Sequence, residues 1–219
     1  MGNCCSGGSN SPPRQTPQPG GAPPRLPVVG PVHTPGPAAV FRPPSPDHQP
    51  NPEMTPPPPL CINANSDGLA KGNPGDSACG GVFCDHLGNF LGGFSLCIGL
   101  NTVFFAELLA VILVVELAFE RGWNNLWLES DSMIVIQHLY NPSLLPPWRL
   151  RNRWLNCLHR IHFIDFRCSH TYRENNNVAD RLANLGLVFP SLHWWNSPPP
   201  CVAGLLSKDT CGFPNYRFT

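Results

Sequence analysis

Residues 60–188 are predicted to form an α/β domain, a five-stranded mixed sheet flanked by helices. Three observations predict it. Short apolar runs come first, separated by glycine and asparagine turns. A long apolar segment of helical length follows. Strand-like and helix-like segments then alternate to residue 187.

The elements follow in order. Leu60–Asp67 reads as a first strand that ends in a carboxylate, ahead of a Gly-Asn-Pro-Gly turn that would bring backbone close to a ligand. Ala78–Asp85 and Phe90–Ile98 read as a β-hairpin around His86-Leu87-Gly88-Asn89. Ala106–Arg121 is a helix closed by Gly122. Within it the run VFFAELLAVILVVELAF has nearly the length of a membrane span, but Glu107 and Glu116 interrupt it, so it reads as a core helix. Asn125–Glu129 is a fourth strand. Ser132–Tyr140 is a helix stopped before Asn141-Pro142, and Pro147–Arg160 is a helix with proline in its first turn. His162–Cys168 alternates as a half-buried fifth strand, and Asn175–Leu187 is the last helix. Right-handed crossovers would make the later strands parallel.

Composition divides the 219 residues. Residues 1–59 hold most of the prolines and few aliphatics, so they are expected to be a disordered, extended arm. That arm is read as a spacer, with recruitment of a proline-binding module left open. Residues 189–219 are expected to be an irregular tail. MGNCCS places Gly2 for myristoylation and Cys4 and Cys5 for palmitoylation. Dual acylation, with membrane contact through it, and chance occurrence in a low-complexity arm both stand open. The ten cysteines show no zinc spacing, and the N-terminus shows no secretory apolar region. A reducing, intracellular setting follows, in nucleus or cytoplasm or membrane-anchored.

Formal net charge is zero, and within 60–190 the acids outnumber the bases eleven to nine, which argues against tight non-specific DNA binding. Arg149, Arg151 and Arg153 cluster with Trp148 and Trp154. This stretch is either a solvated helix flank or a ridge that contacts phosphates. Ligands of open α/β sheets gather at the carboxyl ends of parallel strands. Asp67, Glu107, Asp131 and Asp180 all fall at positions the topology would bring to one sheet edge. Four carboxylates from four segments suggest a magnesium site acting on phosphates. Taken singly, Asp131 before Ser132 could equally be a turn or helix cap.

The motifs SDGLAKGNPG (66–75), AEL (106–108), ESDS (129–132) and HTYRENNNVADRLANLG (170–186), in this order, resemble the ribonuclease H (RNase H) fold family. The nearest likeness is to the RNase H domains of plants and LINE-type retroelements, over about Pro56 to Gly186. The HWWNSPPP tail is similar to the C-terminal extension of plant members. The resemblance implies endonucleolytic cleavage of the RNA strand of an RNA–DNA hybrid. It makes Asp67, Glu107, Asp131 and Asp180 ligands of two Mg2+ ions, with Mn2+ as a substitute. It gives His170 a role in proton transfer or product release, and it sets Gly68 and Asn73 beside the RNA strand. The segment Thr102-Val103-Phe104-Phe105 lacks the polar residue that relatives often carry before the helix glutamate, which implies weak substrate grip. Two other classes therefore stay open: a catalytically weak, domesticated nucleic-acid-binding module, and a lipid-anchored adaptor working through its Pro-rich arm. Oligomeric state is left open.

Overall fold

A computed structural model describes residues 60–141 and 143–210, with side chains to residue 206. The Pro-rich arm, including Gly2, Cys4 and Cys5, lies outside the described residues.

Strands β1 (Ile62–Gly72), β2 (Gly75–Cys84) and β3 (Phe90–Asn101) form an antiparallel meander. Helix α1 (Val103–Glu120) leads to β4 (Asn125–Ser130), and α2 (Met133–Tyr140) follows. A 3-10 turn at Trp148–Leu150 starts α3 (Arg151–Ile161), then come β5 (Asp165–His170) and α4 (Asn177–Gly186). The chain continues into β6 (His193–Trp195) and α5 (Pro200–Thr210). The sheet order is β5-β4-β1-β2-β3-β6, with β4 parallel to both β1 and β5 and the remaining pairs antiparallel.

The mixed α/β architecture is the one expected, with three differences. The sheet has six strands, because the tail expected to be irregular supplies β6, which pairs with Gly93–Ser95 of β3, and α5, which packs on α4. A three-residue strand is too short to leave a period of two in a sequence. The first strand does not end at Asp67. Its ladder with β2 runs on to Gly72↔Gly75, so the Gly-Asn-Pro-Gly turn is the tip of a hairpin. The fifth strand starts at Asp165 rather than His162, because His162–Ile164 finish the last turns of α3.

The two faces of β2 show how the layers form. Cys79 and Phe83 point into the large core made with α1, whereas Val82 joins Val178, Leu182 and Val202 on the other face. Helix α1 is buried nearly all round, from Phe105 to Ala118, because β1, β2, α2 and α3 surround it. Its one deep charge past Glu107 is Glu116, which accepts a hydrogen-bonded ion pair from Arg153 and a second contact from Arg160 at 3.1 Å. Among the described residues, no helix is long and apolar enough to cross a membrane.

Two glycines let the layers touch. A Cβ on Gly68 would stand 2.2 Å from the Glu107 nitrogen, and one on Gly80 would stand 2.3 Å from the Ala183 nitrogen. In both cases the obstacle is helix backbone, which cannot rotate away. Gly68→Ala should therefore lower stability by at least about 2 kcal/mol. Gly204→Ala, in α5 with open space around it, should leave stability unchanged or raise it by up to about 1 kcal/mol. Urea midpoints of the two variants check this, and equal midpoints would refute the packing argument.

Candidate carboxylate centre

Asp67 sits mid-way along β1, paired in register with Gly80, and is 5% exposed. Gly68 admits the backbone of α1 at Ala106–Glu107, so the helix sets Glu107 beside it, also 5% exposed. Thr102 fixes the start of that helix by accepting a hydrogen bond from the Phe105 N–H. Asp131 follows the last residue of β4, whose parallel pairing with β1 aligns Ser130 with Ser66. One oxygen from each of Asp67, Glu107 and Asp131 lies within 4.8 Å of the others.

Asp131 is held on both oxygens. Its Oδ1 accepts from Asn176 Nδ2 at 2.9 Å and its Oδ2 from Arg173 Nε at 3.2 Å. Asn176, fully buried before α4, also donates to the Ser66 carbonyl and so ties that helix to β1. His170 closes β5 with Nε2 3.2 Å from the Asp131 carbonyl, a contact in which the ring nitrogen donates. Glu107 Oε2 is buried with no hydrogen-bond partner.

Burial holds the Asp67 carboxyl well above the usual carboxylate range, and the charges of Asp131 and Asp180 push it the same way. Burial does the same to Glu107, helped by Asp67 and Asp131. Acids gathered this closely out of water are unfavourable unless a cation joins them. The donor set is all oxygen, and a buried carboxylate oxygen is unpartnered. Both features fit a hard divalent ion such as Mg2+.

The other sequence-predicted residues are placed as follows. Asp180 is exposed in the first turn of α4, outside the group of three, and acts on Asp67 through its charge. Gly68 serves the approach of α1. Asn73 Oδ1 accepts from the Val103 N–H at 3.3 Å, joining the hairpin tip to the start of α1. The three arginines do not share one role. Arg149 donates to Asn101 Oδ1 at 2.9 Å with its guanidinium 5.1 Å from the Phe105 ring centre, Arg153 holds Glu116, and Arg151 is exposed at the start of α3. Sequence reasoning missed Arg173 and Asn176. Both lie inside the quoted 170–186 motif, and an asparagine just ahead of a helix was the available signal.

The raised carboxyls give a signed prediction. Asp67 and Glu107 hold protons more tightly folded than unfolded. Stability of the cation-free protein should therefore fall as pH rises from the ordinary carboxylate range through the raised one. Thermal melts between pH about 9 and about 5 should show stability increasing toward acid, more weakly in Asp67→Asn, with Mg2+ offsetting the loss at the alkaline end. A variant with the same slope as the parent would remove Asp67 as its source.

Residues 65–186 match the family model described as reverse transcriptase-like. The chain is 33% identical over 158 residues to an Arabidopsis thaliana protein named for ribonuclease H, covering 71% of this chain and 25% of that one. It is 33% identical over 131 residues to ribonuclease HI of Halobacterium salinarum, spanning 64% of its length. The chain thus spans less than two thirds of either relative. The solved RNase H1 of that archaeon superposes with TM-score 0.53 at 30% identity, over 57% of this chain and 96% of the other. LC11-RNase H1, solved in complex with an RNA/DNA hybrid, gives TM-score 0.52 at 26% identity over the same shares. The family match over more than half of the sequence, together with these superpositions, shows that the chain belongs to the reverse transcriptase-like family and has the RNase H-like fold.

Proposed function

We propose that the domain is a magnesium-dependent endoribonuclease that cleaves the RNA strand of RNA–DNA hybrids. The observation that carries this reading is the group Asp67, Glu107 and Asp131 with its unpartnered buried oxygen on Glu107. The likeness to an RNase H1 solved on a hybrid supports the substrate class. Asp67, Glu107 and Asp131 would hold the cation, with Asp180 nearby as a further carboxylate. When bound, Mg2+ lowers the pKa of an attacking water and stabilises charge on the leaving oxygen.

The chain's own residues do the rest. Negative charge gathered at these carboxylates opposes the approach of a phosphodiester, and a bound cation would offset it. Asn176, fixed between Ser66 and Asp131, orients the Asp131 carboxylate. His170, whose Nε2 donates to the Asp131 carbonyl, would serve in proton transfer or product release. A hybrid is a suitable substrate because its wide minor groove presents the 2′-hydroxyls that distinguish RNA from DNA.

A second reading, nucleic-acid binding with little turnover, is favoured by one observation. Arg149 and Arg153 are engaged by Asn101 and Glu116, which leaves fewer free cations for phosphate.

Cleavage of a labelled hybrid with and without Mg2+ separates the two readings. Asp67→Asn should reduce cleavage by orders of magnitude with the fold intact, and His170→Ala by a smaller factor within roughly 10²–10⁴. Full activity in Asp67→Asn would place the chemistry elsewhere. The arginines should also separate. Arg151→Ala should shrink the salt dependence of hybrid binding by about one phosphate contact, a log–log slope of ~0.9 on B-DNA. Arg153→Ala should instead lower stability by about 1–2 kcal/mol, because it removes one of the two arginine partners of a largely buried Glu116.

A further inference from the structure

The two hydrogen bonds that hold Asp131 differ in kind. The Asn176 side chain is 1% exposed and also grips β1, so it cannot leave without disturbing the fold. The Arg173 side chain is 74% exposed, rises from a short 3-10 turn (Arg173–Asn175), and meets Oδ2 through Nε. It can swing away at the expense of one contact. Among the described residues, Arg173 is the only cationic side chain in hydrogen-bond or ion-pair contact with any of Asp67, Glu107 or Asp131. The Asp131 carboxylate it occupies belongs to the same close group as Glu107, whose Oε2 has no hydrogen-bond partner, and a divalent ion shared by this group would compete with the guanidinium for Asp131.

We infer that Arg173 is an exchangeable counter-ion: it neutralises Asp131 in the cation-free protein, gives up Oδ2 when a divalent cation enters, and then turns its freed guanidinium to a phosphodiester of the nucleic acid. The inference rests on the carboxylate centre being a cation site, as proposed above. Guanidinium and divalent ion compete for one carboxylate, so each weakens the other's hold by the same factor. A planar guanidinium suits phosphate as well as carboxylate, so the displaced side chain has a new anionic partner where the substrate would lie. Asn176 keeps Asp131 in place throughout the exchange. The turn thus adds a charge to the substrate side only after the carboxylates have been neutralised.

The test reads cation binding directly. Free Mn2+ is followed by electron paramagnetic resonance while wild type, Arg173→Ala and Arg173→Lys are titrated in the absence of nucleic acid. Arg173→Ala should bind Mn2+ roughly five- to tenfold more tightly than wild type, and Arg173→Lys, which keeps the charge, should stay near wild type. In wild type, the Arg173 Nε–H resonance should lose its protection from solvent exchange on addition of Mg2+. With Mg2+ present and a cleavage-resistant 2′-O-methyl RNA strand in the hybrid, Arg173→Ala should bind more weakly, with a salt slope smaller by about one phosphate. Unchanged or weaker Mn2+ binding in Arg173→Ala, or an Nε–H that stays protected, would overturn the exchange while leaving the cation site standing. A salt slope equal to wild type would overturn the phosphate half. Failure of wild type to bind Mn2+ at all would overturn the cation site and the exchange together.

Discussion

The carboxylate centre depends on how closely one helix can approach one strand. Glu107 stands beside Asp67 because α1 crosses β1 at Gly68, where any side chain would meet helix backbone. Asp67 and the residue that admits Glu107 beside it are therefore adjacent in sequence, as Asp67-Gly68. The approach explains why glycine occupies the interior of a long strand, a position where it weakens the ladder. It also gives Gly68 a structural reason to be there that is independent of any contact with nucleic acid.

That approach creates an electrostatic problem which the neighbouring elements only partly relieve. Three acids converge, two of them nearly buried. Burial and the neighbouring acids raise the proton affinity of Asp67 and Glu107, while Arg173 and Asn176 hold the Asp131 carboxylate. The contrast with Glu116 is instructive. It lies nine residues further along the same helix and is fully matched by two arginines from α3. The same helix thus carries one acid balanced within the fold and one, Glu107, left with an unpaired oxygen. Local charge balance is met at Glu116 and left open at Glu107.

Much of this was legible in the chain. The order of strands and helices follows from apolar period and turn residues, which act locally. The acids Asp67, Glu107 and Asp131 could be assigned to one sheet edge from topology and from the motifs around them. What stayed hidden was decided across the sheet. The run of β1 past Asp67 depends on its partner strand, because Gly-Leu-Ala-Lys-Gly has no strand signature of its own. The division of Arg149, Arg151 and Arg153 among separate tasks depends on where Asn101 and Glu116 fall in space. Asp180 shares the motif but stands exposed in the first turn of α4, close enough for its charge to act on Asp67. Arg173 and Asn176 show the same limit, since their partner lies more than forty residues earlier in the sequence.

The short strand β6 has a consequence for solubility. Without it, β3 would be an outermost strand twelve residues long, ending the sheet in a row of unsatisfied amide and carbonyl groups. Such a border invites pairing with another molecule. His193–Trp195 closes part of that border at Gly93–Ser95, and the Arg121 guanidinium lies 3.6 Å from the Trp194 ring centre, fastening the segment to the end of α1. The opposite border, β5, is only six residues long and carries Asp165 and Arg167 outward, charges that discourage stacking without any cover. The two margins of the sheet are thus protected by different means, one by an added strand and one by brevity and charge. Three residues, His193–Trp195, shield part of the β3 margin from pairing with another chain.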